Sequence, residues 1–195
     1  MPHLKFDMAK LERLNDPARF EQLPPDVFWE ALGAPAGEVM LVEIGAGTGL
    51  FAQAFAQRAP EAVIYAADTA DEMLAWMRAN RPEVAEERIV PVKASESGLP
   101  MPDAVADALY MINVHHELAE PEASYAEALR LLKPGAPLLV VDWAPRETPK
   151  GPPLEVRVQP ADLERLLAAV GFSVVRVDDI RLPWHVMATA RKPAK

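Results

Sequence analysis

The chain has 195 residues, 50% hydrophobic and 25% charged, which suits one globular domain with a substantial core. A net charge of −9 with no long basic run excludes non-specific nucleic-acid binding, and the lack of cysteine excludes disulfides, thiolate metal sites and thiol nucleophiles. The start, Met-Pro-His-Leu-Lys-Phe-Asp, turns polar within a few residues and no apolar run reaches membrane length, so a cytoplasmic protein with no membrane partner is expected.

The elements follow in chain order. Asp16-Pro17 reads as an N-cap with proline at the first helical position, predicting a helix to about Leu23. A second helix from Asp26 to Leu32 is stopped by Gly33. The first strand is Val39–Glu43, and a helix starts near Leu50 with Phe51 and Phe55 one turn apart on its apolar face. The second strand is Val63–Ala67, after which Ala70, Met73, Leu74 and Met77 stand at helical spacing. The third strand is Ile89–Lys93 and the fourth Ala106–Ile112. Tyr125, Ala128, Leu129 and Leu132 mark the next helix, ended by Lys133-Pro134-Gly135, and the fifth strand is Leu138–Val141. Pro160 opens a helix with Leu163, Leu166, Leu167 and Val170 on one face, and Gly171 closes it. The last strands lie near Ser173–Val177 and Trp184–Ala190. The latter alternates, with Trp184, Val186, Ala188 and Ala190 on one side, as a half-buried strand should.

Alternating strands and helices imply an α/β, doubly wound, mostly parallel seven-stranded sheet. The connection Asp178–Pro183 is too short for a parallel crossover, so the sheet should finish on an antiparallel strand. The first 35 residues precede this core, and 36–195 form the main domain of a single compact unit.

Residues 41–51, Leu-Val-Glu-Ile-Gly-Ala-Gly-Thr-Gly-Leu-Phe, carry the strongest functional signal. A strand ends in the carboxylate of Glu43, then Gly45, Gly47 and Gly49 alternate with Ala46 and Thr48, and a helix opens. Glycine admits a sharp turn and close approach, and N–H groups at a helix opening favour polar ligand groups. The carboxylate argues for a cationic or hydroxyl-bearing ligand rather than a phosphate. The dinucleotide fingerprint G-x-G-x-x-G would place its third glycine at Leu50, so the spacing disfavours it.

The G-x-G-x-G run with Glu43 two residues upstream closely resembles the first motif of the class I S-adenosylmethionine-dependent methyltransferases. The resemblance extends from about Pro24 to Lys192, because the antiparallel finish is also how that Rossmann-like fold ends. It implies S-adenosylmethionine as cofactor, S-adenosylhomocysteine as product and a small-molecule acceptor. An NAD-dependent oxidoreductase, a non-catalytic S-adenosylmethionine-binding protein and an interaction module are the alternatives.

Ligands in such sheets bind beyond the carboxyl ends of the strands. Asp68 follows Gly47 by 21 residues, near the spacing of a ribose-binding acid, and Thr69 is next to it; either also suits an N-cap. The resemblance adds Met73 against adenine and aligns Ser95, followed by Glu96, with the acid that binds the adenine amino group. Serine there departs from the family pattern. Strand four runs into Asn113, a cofactor contact by resemblance, and into His115 and His116, either of which could serve as a base near neutral pH. The long proline-rich loop after strand five offers Trp143, Glu147 and Arg157 as acceptor contacts. The segment 1–35 is expected to be a lid, with Phe6 or Phe20 beneath it. No cluster of His and carboxylates suggests a metal, oligomeric state is open, and 20 prolines with only Asn15, Asn80 and Asn113 point equally to a thermophile or a GC-rich genome.

Overall fold

The computed structural model describes residues 8–95 and 98–194, so Phe6 and Glu96 lie outside the described residues. Seven strands form one sheet in the order β3-β2-β1-β4-β5-β7-β6: β1 Met40–Ile44, β2 Val63–Asp68, β3 Ile89–Lys93, β4 Ala108–Ile112, β5 Pro137–Trp143, β6 Ser173–Asp178 and β7 His185–Arg191. The first five run parallel, and β7 is antiparallel to both β5 and β6. This is the expected sheet with its antiparallel finish.

Helices cover both faces. On one, α2 (Pro25–Ala31) and α3 (Leu50–Arg58) bury Phe28, Phe51 and Phe55 against Leu41, Tyr110 and Val141. On the other, α6 (Pro121–Leu131) and α7 (Pro160–Val170) bury Tyr125, Leu131, Leu163 and Leu167 against Val42, Leu109, Val140 and Val186. Successive residues of a strand enter opposite cores, the period-two consequence of a sheet covered twice. Short α1 (Met8–Leu14), α4 (Asp71–Asn80) and α5 (Pro82–Ala85) complete the helices.

The Asp16 side chain accepts the Ala18 N–H at 2.9 Å as an N-cap should, but the helix after it is one 3-10 turn, Pro17–Glu21. Strand four begins at Ala108, not Ala106. Ala106 forms an isolated bridge to Leu132, and Asp107 accepts the Met40 N–H at 2.9 Å and Lys133 Nζ at 2.7 Å. The expected one-sided burial of the last strand is corrected. β7 is inside the sheet between β5 and β6, so both of its faces are covered, and alternation belongs to the edge strand β6. Trp184 precedes β7 rather than opening it.

Both sheet edges are irregular. β3 carries Pro91 at its centre. β6 carries a register shift between Ser173 and Arg176, with Val174 at φ +52° and its side chain exposed. A β-branched residue in the left-handed region is strained by about 1–3 kcal/mol. Val174→Asn, which tolerates that backbone, is expected to stabilise the fold by about 1 kcal/mol and raise Tm by ~2–4 °C. Thermal unfolding followed by circular dichroism checks this; an unchanged or lower Tm contradicts it.

Candidate functional site

The parallel register sets Glu43 on β1 beside Tyr110 on β4, and Tyr110 Oη donates to Glu43 Oε2 at 3.2 Å. Glu43 is 2% exposed. Burial raises its pKa to about 8, against the Tyr110 hydrogen bond, the Arg19 charge and the Ala52 N–H, which all favour ionisation. Even with the Arg19 charge acting on it, the carboxyl is mostly neutral at pH 7.

Beyond β1 the chain turns back over β2. The N–H groups of Gly45 and Ala46 both donate to the Ala67 carbonyl at 2.9 Å. Gly47 N–H donates to Asp68 Oδ2 at 2.7 Å, and Ala70 N–H to Asp68 Oδ1 at 2.8 Å. Asp68 thus ties the glycine loop to the turn before α4, and each oxygen keeps a lone pair for a further donor. Gly45 is required twice over: its φ is +72°, and a Cβ would stand 2.3 Å from Val114 Cγ2. The Thr48 carbonyl accepts from Arg81 Nε at 2.9 Å, while Thr48 Oγ1 is buried without a partner among the described residues. The same holds for Oδ1 of Asn113, which turns the chain out of β4 at φ +58°.

Of the remaining donor-side expectations, Met73 is 5% exposed in the first turn of α4. Thr69 is exposed and offers its carbonyl to Lys93 Nζ at 2.7 Å. Ser95 forms a bridge with Gly98, and its Oγ donates to the Gly98 carbonyl at 3.0 Å.

The segment before the core lies on this loop. A Cβ at Gly47 would meet Leu14 Cδ1 at 3.9 Å, and Asn15 Oδ1 accepts from the Arg81 guanidinium that holds Thr48. Arg19 donates to the Leu14 carbonyl at 2.7 Å and lies 5.3 Å over the Phe51 ring, and Phe20 meets Phe51 edge-on at 5.6 Å. A cavity of about 560 Å³ separates this segment from α3, lined by Asn15, Phe20, Gln53 and Arg58 among others.

His115 and His116 form a 3-10 turn, His115–Glu117, after β4. They have different surroundings. His115 Nδ1 is 2.7 Å from Tyr125 Oη with the rings stacked, and burial lowers its pKa. His116 Nδ1 is 2.8 Å from Oδ1 of Asp142, a fully buried carboxylate that also accepts the N–H groups of His116 at 3.2 Å and Trp143 at 2.6 Å. Burial alone would lower the His116 pKa, but the hydrogen bond and charge of Asp142, with Glu117, outweigh it and raise the pKa. With Nδ1–H given to Asp142, the lone pair of neutral His116 sits on Nε2. Both histidines line a second cavity of about 370 Å³ with Leu118, Pro121 and Gln159.

The three residues expected to touch an acceptor behave differently. The loop after β5 contains Pro145, Pro149, Pro152 and Pro153, which offer no N–H to its own carbonyls. Arg157 supplies the missing donors: Nε binds the Pro152 carbonyl at 2.9 Å, a terminal nitrogen binds the Arg146 carbonyl, and the guanidinium lies 5.4 Å over Trp143. Trp143 stacks on Trp184 at 6.2 Å, and a Cβ at Gly151, where φ is +126°, would stand 2.9 Å from its ring. Trp143 and Arg157 fasten the loop, and Glu147 is exposed to solvent. Asp142, Arg19 and His185, all central to this end of the sheet, are absent from the expected set.

Among the described residues no group of three His, Asp or Glu could hold a metal ion, and no helix is long and apolar enough to cross a membrane. Residues 42–140 match the methyltransferase domain family. The chain belongs to this family. A demethylmenaquinone methyltransferase of Thermus thermophilus is 34% identical over 114 residues, covering 57% of this chain and 49% of the relative. A ubiquinone/menaquinone biosynthesis C-methyltransferase of Bordetella avium is 30% identical over 115 residues, covering 57% and 44%. The chain thus spans about half the length of these curated relatives. Among solved structures, a SAM dependent methyltransferase from Aquifex aeolicus superposes with a TM-score of 0.87 at 27% identity, covering 96% of this chain and 100% of that one. The [4+2]-cyclase SpnF shares the fold, with a TM-score of 0.76 at 22% identity over 89% of this chain and 82% of its own. The class I methyltransferase resemblance is borne out, and the NAD-dependent alternative is not favoured.

Glu43 ionises near 4.5 in an unfolded chain and near 8 in the folded one, so stability is fullest below the lower value and falls as pH rises between them. Glu43→Gln is expected to flatten that fall and to be more stable than the parent at pH 8; urea unfolding at pH 5 and 8 measures the difference. Asp142→Asn is expected to lower the His116 pKa, read from its imidazole resonances during an NMR titration, and an unmoved titration would show that Asp142 does not set it.

Proposed function

We propose that the protein transfers the methyl group of S-adenosylmethionine to a small-molecule acceptor bearing an acidic proton, with His116 as the base. The observation that carries this reading is the Asp142–His116 pair beside a cavity at the ligand end of β4 and β5. Family membership and the solved relative named as SAM dependent support the donor. S-adenosylmethionine supplies an electrophilic methyl on a sulfonium, and its transfer leaves the neutral thioether S-adenosylhomocysteine.

The chain's own residues suit that donor. Glu43 gives its proton to solvent as the ammonium of the methionine portion approaches, directly or through water. Gly45, Ala46, Gly47, Thr48 and Gly49 surround the same portion, with Thr48 Oγ1 and Asn113 Oδ1 as two buried oxygens in want of a donor. Asp68 accepts the ribose hydroxyls, Thr69, Met73 and Ser95 contribute to adenine binding, and the same role is proposed for Glu96, which lies outside the described residues. The N-terminal segment serves as the lid to the domain 36–195, its described part fastened through Asn15 and Phe20. On the acceptor side, His116 Nε2 receives the proton as the acceptor–methyl bond forms, and Asp142 stabilises the resulting imidazolium. His115, hydrogen-bonded to Tyr125, shapes the same cavity. Trp143 and Arg157 act through the loop they fasten, and Glu147 contacts the acceptor at the rim.

Incubation with methyl-labelled S-adenosylmethionine and a whole-cell extract tests the reading. Label is expected in a small molecule, and label confined to protein or RNA would count against it. His116→Gln is expected to lower kcat/KM by about 10²–10⁴-fold. Since the base acts when neutral, kcat/KM should rise with pH through the raised His116 pKa, and Asp142→Asn should move that rise to lower pH while reducing the plateau. Calorimetry at pH 7 in buffers of different ionisation enthalpy should detect a proton released by Glu43 on S-adenosylhomocysteine binding, absent in Glu43→Gln.

A further inference from the structure

His115 lines the same cavity as His116 and has no chemical step above. The two are consecutive in the turn after β4. Each turns Nδ1 to a group that is not part of the cavity wall: Tyr125 Oη at 2.7 Å and Asp142 Oδ1 at 2.8 Å. Both of those partners are fully buried. Neither Nε2 makes a hydrogen bond among the described residues, and neither is sealed from solvent as both ring nitrogens of His185 are. Glu117 Oε1 stands 3.8 Å from Nε2 of His116, beyond hydrogen-bond reach. The Nε2 atoms are therefore the ends of the two rings left to meet a ligand.

Their partners set opposite tautomers. The Asp142 carboxylate only accepts, so neutral His116 holds its proton on Nδ1 and shows the cavity a lone pair. Tyr125 can donate or accept, and accounting for its proton decides. The phenol has no other hydrogen-bond partner among the described residues, and burial together with the Asp142 charge keeps it protonated. Were His115 Nδ1 the donor, that buried O–H would have nothing to bind. With the phenol as donor, O–H and Nδ1 satisfy each other, and buried polar groups are seldom left unsatisfied. Burial also lowers the His115 pKa, so the neutral ring carries its single proton on Nε2. The cavity thus presents one acceptor, His116 Nε2, and one donor, His115 Nε2–H, from adjacent residues.

We infer that the methyl acceptor carries a hydroxyl conjugated to a carbonyl, as in a hydroxyaryl ketone or an enolised dicarbonyl, with His116 taking the hydroxyl proton and His115 donating to the carbonyl oxygen. Tyr125 is the positioning residue that fixes His115 as the donor. This rests on the proposed methyl transfer and narrows its acceptor class. Conjugation joins the two roles: as the proton leaves, negative charge spreads onto the carbonyl oxygen, where a fixed N–H stabilises it more than it stabilises the neutral carbonyl. The O–H electron pair stays with the acceptor and supplies the new bond to the methyl carbon. The C–S pair leaves on the thioether, and the proton rests on His116 Nε2.

In protein labelled with 15N-histidine, long-range 1H–15N correlations report which ring nitrogen holds the proton. At a pH above the His116 titration, His115 is expected as the Nε2–H form and His116 as the Nδ1–H form. Tyr125→Phe, which removes only the phenol oxygen, should turn His115 toward a mixture of tautomers and leave His116 as it was. The protein saturated with S-adenosylhomocysteine is then titrated with 2- and 4-hydroxyacetophenone against phenol and acetophenone, which each lack one of the two groups. At least one hydroxyacetophenone is expected to shift both Nε2 resonances and to bind about fivefold more tightly than either single-group probe, the effect of one further hydrogen bond. Tyr125→Phe should lose most of that advantage and keep its S-adenosylhomocysteine affinity. The inference is overturned if His115 of the parent holds its proton on Nδ1, if Tyr125→Phe leaves the tautomer unchanged, or if neither hydroxyacetophenone outbinds both phenol and acetophenone. The tautomers of the parent need no variant, so they decide even where Tyr125→Phe folds poorly. Failure of S-adenosylhomocysteine to bind in calorimetry would instead overturn the methyl-transfer reading itself.

Discussion

A carboxylate buried as completely as that of Asp142 must be answered by donors, and the ligand end of the sheet is organised around answering it. Three come from two elements: the N–H and ring of His116, just past β4, and the N–H of Trp143 at the end of β5. The turn after β4 is thereby bound to β5, and the imidazole is set in one tautomer. Removing any donor leaves charge uncompensated in an apolar setting, which costs far more than the hydrogen bond returns. The same strand end carries Trp143, on which the long loop rests, and faces His185 on β7.

Much of this architecture was legible in the chain because its signals are local. Period-two and helical spacings gave seven strands in their right places, Gly171 ended α7, and the short 178–183 connection foretold the antiparallel finish. The alternating glycines and Asp68, singled out by their spacing, are joined by the Gly47 N–H to Asp68 hydrogen bond. What escaped was made by pairing between distant segments. Asp142 and His116 are 26 residues apart and meet only because β4 and β5 lie side by side. His185 was hidden by a phasing error: with Trp184 counted as the first inward residue of a half-buried strand, its neighbour fell on the outward side. Arg157, expected to touch an acceptor, lines the His116 cavity and also supplies the donors that the loop's prolines lack.

The candidate site draws on both the family-matched portion and its flanks. The family match spans 42–140 and contains Glu43, the glycine loop, Asp68, Asn113 and both candidate basic histidines. Asp142, His185, the proline-rich loop and the N-terminal segment with Arg19 lie outside it. The shared portion carries the residues suited to holding a cofactor. The cavity beside His116 draws on both, with His115, His116, Leu118 and Pro121 from the shared portion and Gln159 and Asp162 from beyond it.

The two irregular edges have a consequence for how copies of this molecule meet. An open sheet normally offers its outermost backbone groups to any strand that drifts alongside. Here one border lacks an amide hydrogen at Pro91, and the other is bent out of register at Val174, so neither presents a straight template. Sheet-to-sheet fusion, whether into a continuous dimer or a fibril, is discouraged at both borders.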